Sequence, residues 1–520
     1  MNGIRIKNCL FWCFLTFLFS ILLTPSLVMA IPPKGEVVFA TSTGVFSQVG
    51  GDSATHTAGY PVLARTIFDS LVYADHDQNA LPGLAKSWKI APNWKYIDFF
   101  LRDDVTFHNG DKFTAEDVKF SLETYMRKDL KFLFAPQWSR DITNIEILGP
   151  YQVRLHMRKP DPGFLGRLWW AAGMFPKKYR EKVGDKGFAD KPIGTGPFKW
   201  VEYKQDSYWK VEAVKKHFRH TPQIKTFKML YVPEPATRLA MLKAGEVDIT
   251  NVIGPHTVEI KLDPNLRLIL NKYTQLTCLI FTDLNNPKEP SPFHDIRVRE
   301  AASLAIDREG ITKKVLFGVC EPYGDFCSPI TLGHDPTIKP DPYNPERAKK
   351  LLAEAGYPKG FETVISTTPE GRYWIEAIAS NFGDVGIKTK IDVMETGAWI
   401  QKYFGRKFRG LVAKGLWYHA ERSAAADASD DFLDYMPWAY NTTPAIHKAV
   451  VDGESALTEA EEIASGKRIS KEIRESRNRI LLWAVHIPHG LGPRIEYWEP
   501  EIGALPASAF EMIRLKKQYQ

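Results

Sequence analysis

Across residues 97–125 the chain spells out a strand, a tight turn and a helix in succession. Residues 97–107 alternate bulky and polar side chains in places and run into Asn109-Gly110, a pair suited to a sharp reversal. Thr114-Ala-Glu-Asp then has the form of a capping box, in which a hydroxyl and a carboxylate answer the first backbone N–H groups of a helix. Val118, Leu122 and Tyr125 follow at the spacing of one helix face. These residues read as core and cap, not as ligand contacts. Helical and strand-like segments alternate along the rest of the chain, with no fixed-period repeat, which predicts a mixed α/β fold. Two further helices are well marked. One starts at Asn344-Pro345 and stops at Gly356; the other is capped by Asp295 and carries Val298, Ala301, Ala302 and Ala305 on one face.

The N-terminus reads as a secretory leader. Arg5 and Lys7 precede an almost unbroken apolar run over residues 9–23, Thr24-Pro25 breaks it, and Val28-Met29-Ala30 suits cleavage before Ile31. The run is shorter than the roughly 20 residues a membrane span needs. No Cys stands at the cleavage point to take a lipid, so the expected location is the periplasm. The 520 residues are 44% hydrophobic and 25% charged, ordinary globular values with length for two or more cores. The formal charge of +7 is thinly spread, and no dense basic patch with interleaved aromatics argues for nucleic acid. Of 5 Cys, Cys9 and Cys13 lie in the leader. Cys320 and Cys327 bracket a short Pro/Gly loop where a disulfide would suit an oxidising compartment, leaving Cys278 as a buried thiol.

Several motifs recur in a familiar order: LPGLAKSW at 81–88, LRDDVTFHNG at 101–110, KFTAEDVKFSLE at 112–123, GTGPF at 194–198, GEVD at 245–248, FHDIRVREAASLAIDR at 293–308, and the stretch 341–360 that ends in EAGYPKG. Together they resemble the bacterial extracellular solute-binding proteins of family 5, and the resemblance spans nearly all of the chain after the leader. It implies an α/β, two-lobed periplasmic binding protein of type II, with hinged lobes and an extra subdomain inserted in lobe one. Mapped on, residues 1–30 are the signal peptide, 31–281 lobe one (inserted subdomain about 70–190), 282–485 lobe two and 486–520 the return to lobe one. The crossings between lobes would fall near 278–285 and 486–489. The implied role is the binding component of an ABC importer that closes on a di- or oligopeptide and delivers it to a membrane permease, as a monomer, without catalysis or cofactor. A nickel chelate, an oligosaccharide or haem is the alternative ligand.

The chain contains no G-x-S-x-G elbow, no H-E-x-x-H and no P-loop, and GTGPF lacks the third glycine of a dinucleotide loop, so Gly194 and Gly196 read as turn residues. His217-x-x-His220 lies in a basic polar stretch and reads as a solvated loop. His486-x-x-His489 contains Pro488, which excludes a helical metal pair. No metal site is expected. Family peptide binders hold the peptide's amino terminus with an aspartate just after a glycine–tryptophan pair. Here Gly415-Leu416-Trp417 is followed by Tyr418, His419 and Glu421, with Asp427 further on, so Glu421 replaces the aspartate near its place. The run Trp417-Tyr418-His419 would stack on sugars or chelates as readily as on side chains. Arg372, before an expected helix, is the candidate for a ligand carboxylate, and Trp399 for a cleft aromatic. Thr43 and Phe46, in the loop after the first strand, and Tyr273 and Gln275, before the first crossing, complete the candidate set.

Overall fold

The computed structural model describes residues 34–41, 65–75, 79–130, 135–286, 288–417, 422–433, 439–500 and 509–520. The leader and Thr43, Phe46, Tyr418, His419 and Glu421 lie outside the described residues. The strand, turn and helix of the opening motif form as the sequence dictates. The strand Tyr96–Leu101 enters a four-stranded antiparallel sheet with Ala85–Ile90, Gln152–Met157 and Ile142–Gly149. Gly110 takes φ +92° in the turn. The Asp117 carboxylate accepts from the Thr114 N–H at 2.9 Å and hydroxyl at 3.0 Å to start the helix Ala115–Tyr125. Val118, Leu122 and Tyr125 are buried. The other two caps form as well: Asp295 accepts from Arg297 N–H, and Asn344 from Arg347 N–H.

A mixed sheet of 11 strands organises the rest. From one edge its order is Ile387–Val393, Phe361–Thr367, Leu411–Trp417, Arg267–Phe281, Arg479–Leu491, Ile249–Asn251, Glu36–Thr41, Thr226–Tyr231, Tyr208–Ala213 and Phe198–Lys204, with Cys320–Pro322 added against Arg479–Leu491. The helix Arg372–Asp384 links two parallel strands at one end, and Pro235–Ala244 links two at the other.

The two long central strands carry the alternation that a sheet covered on both faces requires. Leu279 and Phe281 point into a cluster with Val298, Ile378 and Trp483, whereas Leu276, Cys278 and Ile280 point into another with Phe326, Cys327 and Tyr403. The same two clusters separate the cysteines. Cys320 packs on the first cluster and Cys327 in the second, so the expected disulfide is absent and all three described cysteines are free thiols. The Cys327 sulfur instead lies 3.3 Å from the Ser470 hydroxyl.

Two sequence expectations change in the body built on 36–41 and 226–231. His217 is 8% exposed, not solvated. Its Nε2 meets Asp69 Oδ2 at 3.0 Å, and its Nδ1 accepts from two backbone N–H groups. Thr195 donates to the same Asp69 oxygen, while Arg219 reaches Asp69 at 3.4 Å and Glu511 at 2.9 Å. Burial alone would raise the Asp69 carboxyl, but His217 and Arg219 outweigh it and lower it to about 2. Gly194 and Gly196 also differ from expectation. Neither has positive φ; a Cβ on Gly194 would lie 2.0 Å from the Ile67 carbonyl oxygen, and one on Gly196 2.7 Å from it. They are glycine because two backbones touch, and that contact carries Thr195 to Asp69.

Candidate ligand site at the strand crossing

The strands Arg267–Phe281 and Arg479–Leu491 run antiparallel with one deep irregularity. Asn271 pairs with Ile487 and Gln275 with Val485, so residues 272–274 bulge opposite His486 alone. On one side of the bulge the pair continues toward Ile249–Asn251, and on the other toward Leu411–Trp417. Tyr273 holds φ +51°, a strained value for a bulky residue. His486 supports it: its Nδ1 accepts the Tyr273 N–H at 3.1 Å, and the two rings meet edge to face at 5.2 Å.

That hydrogen bond places the neutral imidazole's proton on Nε2, which faces Glu321 Oε2 at 3.9 Å. Burial lowers the His486 imidazole, Lys272 acting in the same direction and Glu321 against it. Burial raises the Tyr273 phenol, and Glu321 adds to that shift. Burial also raises Tyr323, whose hydroxyl donates to the Cys327 carbonyl at 2.8 Å and whose ring stacks on His334. Glu321 is half exposed on the strand Cys320–Pro322, which pairs with residues 483–485 beside the bulge. The crossing therefore presents the Tyr273 phenol, the His486 imidazole and the half-exposed Glu321 carboxylate beside them, a set able to hydrogen-bond amides and to answer a cationic group.

Gln275 follows the bulge and pairs in register with Trp417. Its amide lies across Gly415, where a Cβ would come within 1.8 Å of the amide nitrogen. Gly415 thus provides the space that Gln275 fills. The structure brings Tyr273, Gln275 and the Trp417 backbone together at the crossing. Arg372 begins its helix with its side chain 65% exposed and donates from Nε to Glu376, one turn on, at 2.7 Å. Trp399, on the helix Thr396–Phe404, stacks on Tyr403 at 4.8 Å and packs against Phe408, with its indole N–H buried and without a protein acceptor.

His486 and His489 share one strand but are three residues apart, so they face opposite sides. His489 is fully buried against Phe39 at 5.9 Å and Trp498 at 5.2 Å, with neither ring nitrogen hydrogen-bonded to protein, and burial lowers its pKa to about 3. Among the described residues no three His, Cys, Asp or Glu side chains are placed to hold a metal. Sequence reading missed Glu321 and Tyr323. Glu321 pairs with the crossing strand and Tyr323 N–H donates to its Leu482 carbonyl, and neither contact follows from a local motif.

Comparison with known proteins adds the family. The model of bacterial extracellular solute-binding proteins, family 5 Middle, matches residues 79–440. Di/tripeptide-binding protein 1 of Pseudomonas aeruginosa is 28% identical over 430 residues, covering 75% of this chain and 78% of that protein. Heme-binding protein A of Haemophilus influenzae is 27% identical over 362 residues, 64% of this chain and 65% of that protein. Among solved structures, NikA from Brucella suis in complex with Fe(III)-EDTA superposes with a TM-score of 0.82 at 20% identity, over 93% of this chain and 100% of that one. DppA from Helicobacter pylori in complex with the peptide STSA superposes with a TM-score of 0.77 at 23% identity, over 94% and 99%. These neighbours share the two-lobed α/β fold. The chain is a member of the bacterial extracellular solute-binding proteins, family 5.

Proposed function

We propose that this protein is the periplasmic receptor of an ABC importer and captures di- or oligopeptides by closing two lobes around them. The observation that carries the reading is the bulged crossing: two strands pass between the halves of the sheet, and their register breaks at 272–274 opposite His486. Such a break lets each half move as a body while a few backbone angles change. The lobes are about residues 31–281 with 486–520, and 282–485, and the bulge lies on the pair of strands that crosses between them. A ligand touching both lobes favours the closed form by its contacts to the second lobe. Peptide amides would pair with main-chain groups at the cleft, and Tyr273, Gln275 and the segment from Trp417 to Glu421 would supply the side-chain contacts. The leader is cleaved after Ala30, and the monomeric closed form docks on a membrane permease. Peptide cargo is favoured because the di/tripeptide-binding relative matches over more of the chain than the haem-binding one.

The second reading keeps the role and changes the cargo to a nickel chelate, an oligosaccharide or haem. The haem-binding relative and the Trp417-Tyr418-His419 run favour it. Small-angle scattering separates a closing receptor from a rigid protein. Peptide addition is expected to make the protein more compact, and a scattering curve unmoved by peptides, chelates, sugars and haem alike would overturn the receptor role.

A further inference from the structure

Away from the crossing, two polar bridges join segments far apart in the chain. Glu454 ends the helix Pro444–Gly453, and its side chain is 10% exposed. Its carboxylate takes Lys159 Nζ on one oxygen and Arg140 Nη1, at 3.3 Å, on the other. Arg140 lies on the segment Ala135–Asp141 and Lys159 just beyond the strand Gln152–Met157, so both cations come from the body of the four-stranded sheet. The second bridge runs from Arg422 Nη1 to Asn79 Oδ1 at 2.5 Å. The partners are 295 and 343 residues apart in sequence.

The cationic side of the first bridge is built firmly. Arg140 is also held by Asp141 at 2.8 Å. Buried Arg167 joins Asp141 and Asp161 at 2.5 and 2.6 Å, which fixes the segment on either side of Lys159. The anionic side rests on a helix end and on the neighbouring helix Glu459–Ser476, with Gly453 packed directly on Ser465. A braced pair of cations and a carboxylate on a packed helix end therefore meet at Glu454.

We propose that Glu454 with Arg140 and Lys159, seconded by Arg422 with Asn79, forms a latch between the lobes that sets the ratio of closed to open receptor without touching the ligand. The proposal rests on the two-lobe closing reading above. Both bridges exist only when the lobes meet, so their free energy falls wholly on the closed state, and only such differential contacts can shift the equilibrium. Ligand affinity scales with the closed fraction, so Glu454 is a positioning residue for binding. Arg140 and Lys159 are 27% and 28% exposed, which leaves the latch open to screening by salt.

The test is small-angle scattering of protein freed of co-purified ligand by unfolding in denaturant, dialysis and refolding, at low and at high salt, for wild type, Glu454→Gln and Asn79→Ala. Wild type is expected to contain a compact population at low salt that shrinks at high salt. Glu454→Gln is expected to lower the closed-to-open ratio up to about tenfold, as for removing one carboxylate shared by two partly exposed cations. Asn79→Ala is expected to act in the same direction, more weakly. The exchange Glu454→Arg with Lys159→Glu restores compaction, which a purely structural role for Glu454 would not. Unfolding midpoints keep loss of fold distinct from loss of the latch. Superimposable low-salt curves for wild type and Glu454→Gln overturn the latch. These curves need no ligand, so adding tri-alanine or a peptide digest tests the receptor reading separately: compaction in both proteins with equal unliganded curves sinks the latch alone.

Discussion

His489 gives a stability effect whose sign and size follow from its surroundings. Its ring is enclosed by Phe39 and Trp498, no protein group hydrogen-bonds either nitrogen, and burial lowers its pKa to about 3. In the unfolded chain the same imidazole titrates near ~6.5. Between those values the unfolded chain holds a proton that the folded protein refuses, so stability rises with pH across the window and falls as acid is added. From pH ~7.5 to ~5.0 the loss is about 2 kcal/mol, at about 1.4 kcal/mol for each unit below ~6.5. His489→Leu removes the proton site and keeps a side chain of similar volume. Any packing change it causes is independent of pH and cancels when two pH values are compared. So does the contribution of His108, which burial lowers to about 4 in both proteins. Urea unfolding followed by tryptophan fluorescence at both pH values is the assay. Wild type should lose about 2 kcal/mol more than the variant. At the higher pH the variant should be the more stable, because a buried polar ring without a partner costs on the order of 1–3 kcal/mol. Equal pH sensitivity in the two proteins would refute the argument.

Other substitutions probe separate parts of the account. Gly194→Ala drives a Cβ to 2.0 Å from the Ile67 carbonyl, where only backbone can yield, so thermal unfolding should show a loss of about 2–4 kcal/mol; an unchanged midpoint contradicts the packing reading. Gly415→Ala meets only the movable end of Gln275, so it should leave stability nearly intact while peptide titration shows binding weakened about tenfold. Asp69, lowered to about 2, stabilises the fold above its unfolded value and loses that contribution as pH falls through about 2. Asp69→Asn should therefore be destabilised by about 2 kcal/mol or more near neutrality and show a flatter acid limb in urea titrations. Glu462 has the opposite sign: burial, with Asp161 and Asp427 adding, raises it to about 7, so its cost appears as pH rises from its unfolded value to about 7. Glu462→Gln should gain on the order of 3 kcal/mol over wild type at pH ~8 and little at pH ~5 in the same unfolding assay.

The parts legible in the sequence were those whose causes are local. Thr114 with Asp117, Asn109-Gly110, Asp295 and Asn344 each act within a few residues, and each forms the turn or cap its spacing implies. The α/β class was legible for the same reason, through alternation such as that of Leu276 to Phe281. What escaped depended on distant partners. His217 looked solvated beside its basic neighbours because Asp69, which buries it, lies 148 residues away. Gly194 and Gly196 looked like turn residues because nothing local announces that Ile67 presses on them. The bulge at Tyr273 carries neither glycine nor proline, and a histidine from the opposite strand holds its positive φ. Cys320 and Cys327 sit close in sequence, but Cys320 lies on a strand packed on one cluster and the loop after it carries Cys327 into the other. Of the candidate site, Tyr273 and Gln275 reach the crossing through strand pairing, whereas Glu321 and Tyr323 had no motif to mark them.

Native mass spectrometry of the protein purified from a periplasm tests the central claim most directly. The account predicts a bound species that, once released, fragments as a short peptide or a family of peptides. A released chelate, sugar or haem would contradict peptide capture and move attention to Trp417, Tyr418 and His419.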